Sequence, residues 1–218
     1  MKKEDYKNLL KNLPQTSGIH GQARQLNSAV LVPFIEIGGE YHILFELRAQ
    51  DIMQGGEVCF PGGLFDKDLD KSYLETAVRE TVEELGIEKE KIKIQGLMDT
   101  FVTGMGMIIV PFVGMLNIKD IDELTPDADE VERLFTLPVE FFKKNKPQVH
   151  HVRVEMQPSY IDEDGKEVVL FPARKLGLPE KYHNTWGGKL TRILVYETTD
   201  PVIWGFTADI LHELVKMM

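Results

Sequence analysis

The stretch that most constrains this chain is a glycine-containing turn followed, after a short linker, by a helix. The turn reads Phe60-Pro61-Gly62-Gly63, and the helix is predicted over residues 72–86. Ser72 and Glu75 have the spacing of a capping box, in which each side chain satisfies a backbone N–H at the start of a helix. Apolar residues precede the turn, so the sequence predicts a strand, a tight turn and a helix in succession.

The predicted helix has an apolar face and an acidic face, because successive residues lie about 100° apart around its axis. Five residues are expected on the apolar face: Leu74, Val78, Thr81, Val82 and Leu85. Glu80, Glu83 and Glu84 fall on the opposite face. Carboxylates placed in this way repel one another by roughly 0.2–0.5 kcal/mol per neighbouring pair, and a divalent cation would remove that repulsion. Oxygen ligands of this kind favour Mg²⁺ or Mn²⁺ over zinc.

The same three carboxylates could instead form a solvated helix face, since their repulsion is small enough for an exposed helix to tolerate. The preceding turn favours the cation. Gly62 and Gly63 permit positive φ angles and allow a ligand to approach the backbone closely. The turn, the linker and the acidic helix together therefore predict a metal site.

This arrangement resembles the signature of the Nudix hydrolase family, G-x5-E-x7-R-E-U-x-E-E-x-G-U, where U is a bulky apolar residue. Seven positions match: Gly63, Arg79, Glu80, Glu83, Glu84, Gly86 and Ile87. Two positions depart from it, because Lys71 stands in place of the first glutamate and Thr81 in place of the first U. Gly63 also lies sixteen residues before Arg79, where the short signature has fourteen.

These departures are similar to the longer signature of the coenzyme A pyrophosphatase branch, F-P-G-G-x-x-D-x-x-D before T-A-x-R-E-T-x-E-E-x-G. The matching positions are Phe60 to Gly63, Asp66, Thr76, Ala77, Arg79, Glu80, Thr81, Glu83 and Glu84. The second aspartate falls at Leu69, between Asp68 and Asp70. The loop between Arg48 and Phe60 is one residue shorter than in the branch. Its internal arginine corresponds to Met53 or is missing, so the identity of the nucleotide conjugate stays open.

The resemblance implies an α/β fold, a Nudix-like α/β/α sandwich with a mixed central β-sheet, the signature helix, a C-terminal helix and an extra hairpin insertion. Residues 1–218 are expected to form a single domain. Within it, residues 1–25 are predicted as an N-terminal helix and loop, and residues 146–200 as a family-specific insertion. Thr207 is expected to cap the C-terminal helix.

Two β-hairpins are predicted from apolar and β-branched runs. The first joins residues 29–37 to residues 41–47 around Gly38 and Gly39. The second lies in the insertion and is expected to join residues 149–156 to residues 167–170.

The resemblance also implies the chemistry of the site. Glu80, Glu83 and Glu84 are expected to hold Mg²⁺, for which Mn²⁺ could substitute. Either Glu83 or Glu130 would accept a proton from the attacking water. Arg79 is four residues before Glu83 and is expected to orient it as an i, i+4 partner.

The remaining site residues are expected to contact the substrate. They are Arg48, Phe60, Gly62 and Gly63. Arg48 could instead be an outward charge at the end of a strand. Glu130 lies in an acidic loop that could simply be solvated, and Glu132 and Asp129 are its alternatives for a role at the metal.

Four functions fit the resemblance. The first is a metal-dependent hydrolase of the pyrophosphate bond in coenzyme A or its thioesters. The second is the same reaction on NADH, ADP-ribose or nucleotide sugars. The third is a house-cleaning hydrolase of nucleoside triphosphates, and the fourth is a non-catalytic Nudix domain that binds a nucleotide. Retention of all three signature glutamates favours an enzyme.

Composition limits the partners. The chain has 218 residues, 25 Lys and Arg against 35 Asp and Glu, and a net charge of −10. An acidic chain is not suited to nucleic acid or an acidic membrane, because both need clustered cations. One cysteine cannot form an internal disulfide, and no signal segment opens the chain, so a cytoplasmic location is expected. The expected partners are a small nucleotide conjugate and, from the family resemblance, a second copy in a homodimer.

Overall fold

The structure, a computed structural model, describes all 218 residues. It contains four α-helices: α1 (Lys3–Asn12), α2 (Tyr73–Leu85), α3 (Val139–Lys144) and α4 (Gly205–Lys216). It also contains thirteen β-strands: β1 (Leu26–Ile37), β2 (Glu40–Arg48), β3 (Val58–Cys59), β4 (Gly62–Leu64), β5 (Ile92–Leu97), β6 (Phe101–Val102), β7 (Met107–Leu116), β8 (Val131–Pro138), β9 (Gln148–Met156), β10 (Ser159–Ile161), β11 (Glu167–Val169), β12 (Trp186–Tyr196) and β13 (Ile203–Trp204).

Eight strands form a mixed central sheet with the order β3-β2-β1-β7-β5, to which β4, β6 and β8 are added. Strands β1 and β7 are parallel, whereas β1 and β2 form the predicted antiparallel hairpin. Gly38 and Gly39 connect that hairpin with φ angles of 60° and 85°. Two positive φ angles are what a tight two-residue hairpin turn needs, so the glycines determine the register of the two strands.

The sheet separates two apolar cores. Helix α2 covers one face through Ala77 and Leu85, which pack with residues of β1 and β7. Helix α4 covers the other face through Leu211 and Leu214, and α3 adds Phe142 to the same core. Both faces of the sheet are therefore buried under helices, which confirms the predicted α/β/α sandwich. None of the four helices has the length and apolar character needed to span a bilayer.

Residues 146–200 differ from the sequence prediction. Strand β9 pairs with β12 rather than with residues 167–170, and β11 pairs with β10 in a separate short hairpin. The predicted pairing of residues 149–156 with 167–170 was therefore wrong. Sequence alternation identified the strands, but it cannot distinguish between two partners of similar pattern.

The two ends of the chain also differ in detail. Helix α4 begins at Gly205, so Thr207 is inside the helix, where its hydroxyl donates to the carbonyl of Val58 at 2.9 Å. The predicted cap at Thr207 was wrong, because this hydroxyl joins the helix to β3 instead. Helix α1 matches the predicted N-terminal helix but has no buried residue.

Candidate active site

Helix α2 begins and ends close to the predicted positions. The hydroxyl of Ser72 accepts the backbone N–H of Glu75 at 3.3 Å, while the Glu75 carboxylate accepts the N–H of Lys71 at 2.7 Å. The reciprocal bond is therefore one residue earlier than in a standard capping box. Gly86 ends the helix with a φ of 61°. Its Cβ would lie 2.1 Å from the carbonyl oxygen of Thr125, so only glycine fits.

The buried face of α2 is rotated from the predicted one. Leu74 is exposed, whereas Glu84 is only 3% exposed and lies among the buried residues of the helix. Glu80 is partly buried, and Glu83 is 57% exposed in its side chain. The three glutamates therefore span the edge of the helix from the protein interior to solvent, rather than sharing one solvated face.

Glu84 is held by the turn that precedes the helix. Its Oε2 accepts the backbone N–H of Gly62 at 2.8 Å, and its Oε1 lies 3.9 Å from Nη1 of Arg48. Burial, together with the nearby charge of Glu80, raises the pKa of Glu84 to about 8. The bond from Gly62 opposes this shift. Glu84 is therefore a carboxylate placed where its negative charge is costly unless a cation is near.

Glu80 lies against the second glycine of the turn. A Cβ on Gly63 would lie 2.4 Å from Oε1 of Glu80, so a side chain at this position would displace the carboxylate. Burial raises the pKa of Glu80, while Arg79 lowers it. Gly62 and Gly63 thus bring the backbone of β4 directly against two carboxylates of α2.

Arg79 is the centre of an ion-pair cluster. Its Nε and Nη2 donate to the two oxygens of Asp70 at 3.0 and 3.1 Å. Nη2 also lies 2.9 Å from Glu80, and Nη1 donates to Glu83 at 2.9 Å. The predicted i, i+4 pair between Arg79 and Glu83 is confirmed.

Asp70 was noted in the sequence only as a neighbour of Leu69, yet it is the main partner of Arg79. Its side chain is 1% exposed, and it also accepts the hydroxyl of Thr76 at 2.9 Å. The bidentate bond from Arg79 lowers the pKa of Asp70 to about 2. Asp70 is therefore the buried carboxylate next to Lys71 that holds Arg79.

Arg48 extends from the end of β2 into the same region. Its Nε donates to the carbonyl of Met53 at 3.2 Å, and its Nη1 lies 4.0 Å from the sulfur of Cys59. The Cys59 thiol donates in turn to Oε2 of Glu46 at 3.6 Å. Arg48 is thus fixed on one side by its own loop and on the other by β3.

Glu46 is a further candidate site residue that the sequence motifs did not indicate. This residue is 1% exposed, and its Oε1 has no hydrogen-bond partner. Burial raises its pKa well above the usual value, and the charge of Glu84 adds to the shift. The available signal was a lone carboxylate within the otherwise apolar run of β2. Buried carboxylates with shifted pKa values are concentrated at functional sites.

Of the three acidic-loop candidates, Glu130 is the one that lines the cleft. Its charge raises the pKa values of Glu80 and Glu84. Glu132 instead accepts a hydrogen bond from Gln50 at 2.8 Å, outside the cleft. Glu130 therefore lines the same cleft as Glu80 and Glu84, whereas Glu83 is not among the residues that line it.

These groups form one wall of a cleft of about 1460 Å³. Of the 34 lining residues, 18 are hydrophobic. The charged lining residues comprise five carboxylates, Glu57, Asp66, Glu80, Glu84 and Glu130, and three cations, Arg48, Lys67 and Arg79. Phe60 lies at the floor, 3% exposed, with its ring 5.3 Å from that of Phe45. The cleft therefore combines an acidic wall with a long apolar surface.

The carboxylate oxygens of the cleft are the type of ligand that a hard cation such as Mg²⁺ prefers. The carboxylates of Glu80, Glu84 and Glu130 line the same cleft, and burial has removed much of the water that would solvate Glu84. No three carboxylates are arranged to hold a cation as they stand. Arg79 is paired with both Glu80 and Glu83. A cation at this wall would replace the guanidinium as the partner of Glu80.

Comparison with known proteins agrees with this geometry. A family model described as the NUDIX domain matches residues 26–184. The chain therefore belongs to the Nudix family.

Two mouse proteins are among its curated relatives. The peroxisomal coenzyme A diphosphatase NUDT7 is 30% identical over 143 residues, which cover 65% of this chain and 56% of NUDT7. The mitochondrial coenzyme A diphosphatase NUDT8 is 35% identical over 118 residues, 53% of this chain and 56% of NUDT8. The match thus spans little more than half the length of these relatives. A solved Nudix hydrolase from M. smegmatis, RenU, is 17% identical over 55% of this chain and 74% of its own, with a TM-score of 0.45.

Proposed function

We propose that this chain hydrolyses the pyrophosphate bond of a nucleoside diphosphate linked to another group, with coenzyme A or its thioesters as the preferred substrate. The observation that carries the proposal is the acidic wall, where Glu84 is buried, bonded to Gly62 and adjacent to Glu80 and Glu130. A pyrophosphate would be repelled by this wall unless a divalent cation lay between them. The names of the two mouse relatives support coenzyme A as the substrate.

The size of the cleft supports a large conjugate over a small phosphate. Its volume of about 1460 Å³ exceeds the roughly 300–1,000 Å³ of ordinary ligand pockets. More than half of its lining residues are hydrophobic. Such a cleft suits a substrate with an apolar arm beside a charged pyrophosphate, as in coenzyme A and its thioesters.

The residues of the acidic wall would have different roles in binding the cation. Glu84 and Glu80 would hold Mg²⁺ or Mn²⁺, with Glu83 as the third signature carboxylate. When bound, the cation neutralises phosphate oxygens and makes a water more acidic. Gly62 orients Glu84, and Arg48 adds positive charge at the other side of that carboxylate.

The proton of the attacking water would be accepted by a carboxylate that does not hold the cation. Glu130, on the cleft, or Glu83, paired with Arg79, would take a proton from the attacking water. The water oxygen forms a bond to one phosphorus, the bridging P–O bond breaks, and two monophosphates leave. Asp70 fixes Arg79 and thereby positions Glu83.

A substrate panel tests this proposal. The protein is incubated with Mg²⁺ or Mn²⁺ and separately with coenzyme A, an acyl-coenzyme A, NADH, ADP-ribose, a nucleotide sugar and a nucleoside triphosphate, and the products are identified by mass. We expect 4′-phosphopantetheine and 3′,5′-ADP from coenzyme A, and no turnover in EDTA. Preference for the triphosphate would reject the proposal, and tight nucleotide binding without turnover of any member would indicate a binding domain instead.

One observation favours a second substrate class. Met53 lines the cleft and is 83% exposed, in the loop whose internal arginine in the coenzyme A branch either corresponds to Met53 or is missing here. Without that cation, NADH, ADP-ribose or a nucleotide sugar becomes a competing substrate. If Met53 decides specificity, Met53→Arg will lower KM for coenzyme A relative to ADP-ribose.

We further propose that residues 1–218 act as one domain, in a homodimer located in the cytoplasm. Exposed apolar side chains on β9 support assembly, and the absence of any possible internal disulfide suits a reducing compartment. Limited proteolysis, light scattering and imaging of the tagged protein in its own cells test these three statements in turn.

A further inference from the structure

Strand β9 is an exposed strand at the end of a small sheet. It has nine residues, and all nine are exposed. The sheet has the order β13-β12-β9, so β9 hydrogen-bonds to β12 on one side only. The backbone groups along its other side have no strand partner. A long free edge of this kind is a template for pairing with another chain.

The side chains of β9 separate into two chemically different sets. Val152, Val154 and Met156 point to one face and are 48%, 42% and 51% exposed. Arg153 and Glu155 point to the other face, because neighbouring residues of a strand alternate. Nε of Arg153 lies 2.7 Å from Oε1 of Glu155. Over residues 152–156, one face is therefore apolar and the other carries one charge of each sign.

We propose that β9 pairs antiparallel with β9 of a second copy, around a two-fold axis at Val154. In this register Val154 faces Val154 of the second copy. Arg153 faces Glu155 of the second copy, and Val152 faces its Met156. The apolar face then matches apolar residues, and both charge pairs are attractive. A two-fold contact requires such self-complementarity.

Other registers of the same two strands are less favourable. An axis at Arg153 places two guanidinium groups opposite each other, and directly opposed like charges destabilise a sheet. A two-fold axis at Val152 places Arg153 opposite His151 of the second copy. In that register Glu155 faces Val149 of the second copy and has no cationic partner. The axis at Val154 is the one that pairs Arg153 with Glu155 twice.

The pairing also explains why an exposed ribbon can be stable. A two-stranded ribbon without a packed face is marginal in water. Pairing residues 152–156 of two β9 strands makes one continuous sheet, β12-β9-β9-β12, with a shared apolar face around Val154. Ile193 lies on that face of β12, opposite His150, and lines the cleft. The proposed sheet therefore begins at the wall of the substrate cleft, although the proposal does not depend on which reaction occurs there.

Cysteine cross-linking tests the register directly. Facing residues of antiparallel strands have Cα atoms about 4.5–5.5 Å apart, a distance that a disulfide can span. Val154→Cys should therefore form a disulfide-linked dimer under mild oxidation. Val152→Cys is the matched control, since its sulfur would lie roughly 13 Å from its copy along the strands and should stay monomeric on a non-reducing gel. The unaltered chain, treated in the same way, shows how much disulfide-linked dimer forms through Cys59 alone.

A charge exchange tests the same pairing without cross-linking. Light scattering of the unaltered chain should give twice the mass of 24.9 kDa. Arg153→Glu alone and Glu155→Arg alone should each shift the protein toward monomer, and the double variant should restore the dimer. A monomer at 100 µM, a dimer indifferent to both single changes, or equal cross-linking at positions 152 and 154 would overturn the proposal.

Discussion

The cleft and the β9–β12 ribbon carry charged residues in opposite environments. In the cleft, Asp70 and Glu84 are buried and bonded to the protein, and their pKa values are shifted in opposite directions. In the ribbon, Arg153 and Glu155 are 67% and 34% exposed in their side chains. Buried charge must be matched by fixed partners or a ligand, whereas exposed charge is solvated and contributes little. Charge in the cleft is therefore fixed by the fold, whereas charge on the ribbon can pair with solvent or with another chain.

The largest expected effect is the loss of the Asp70 carboxylate. Asp70→Asn should reduce the free energy of unfolding by about 2–4 kcal/mol, because the guanidinium of Arg79 loses a buried counter-charge. Glu167→Gln is the matched control in the β10–β11 hairpin, where Glu167 accepts an exposed bond from Ser159 at 2.7 Å, and it should change stability by less than about 0.5 kcal/mol. Urea unfolding of both variants makes the comparison. Equal losses of unfolding free energy in the two variants would show that the buried ion pairs of the cleft stabilise the protein no more than an exposed hydrogen bond does.

Acid should lower the free energy of unfolding by protonating the same residue, Asp70. The pKa of Asp70 is lowered from 3.8 to about 2 in the folded chain. The ionised form is therefore favoured by folding, and the resulting stability is complete above pH 4 and lost as pH falls through about 2. The expected contribution is about 2–3 kcal/mol. The difference in stability between Asp70→Asn and the unaltered chain should shrink over this range, and a constant difference would contradict the assignment.

A stability effect of the opposite sign is expected at Glu46. The pKa of Glu46 is raised by burial, so folding favours its protonated form. Its unfavourable effect on stability should therefore appear as pH rises above 4.5. Glu46→Gln should make the protein more stable at pH 8 and nearly unchanged at pH 4, as measured by thermal unfolding. Loss of stability at pH 8 would mean that the buried carboxylate has a cationic partner in solution.

Much of the fold follows from local sequence. The turn at Gly38 and Gly39 and the hydroxyl of Ser72 act on residues within a few positions, so the first hairpin and the start of α2 were predictable. The pairing of β9 with β12 joins residues about forty positions apart, and no local pattern determines it. Thr207 was misread for the same reason, because its hydrogen-bond acceptor is on β3.

The site was only partly predictable. The signature identified Glu80, Glu83, Glu84 and the two glycines, but helical periodicity placed Glu84 on the face opposite the buried residues. Its burial depends on Gly62 and Arg48, which come from other elements. Asp70 escaped notice because a bidentate bond to Arg79 requires a loop geometry that the residue types alone do not specify.

The most direct measurement is the activity of Glu84→Gln against coenzyme A in Mg²⁺, with Glu88→Gln as the control. Glu88 is exposed and lies beyond the end of α2. The proposed function predicts that Glu84→Gln stays folded by circular dichroism and loses activity by about 100-fold or more, since the carboxylate nearest Gly62 is removed. Glu88→Gln should keep full activity. A folded Glu84→Gln protein with activity within twofold of the unaltered chain would contradict the proposed role of the acidic wall.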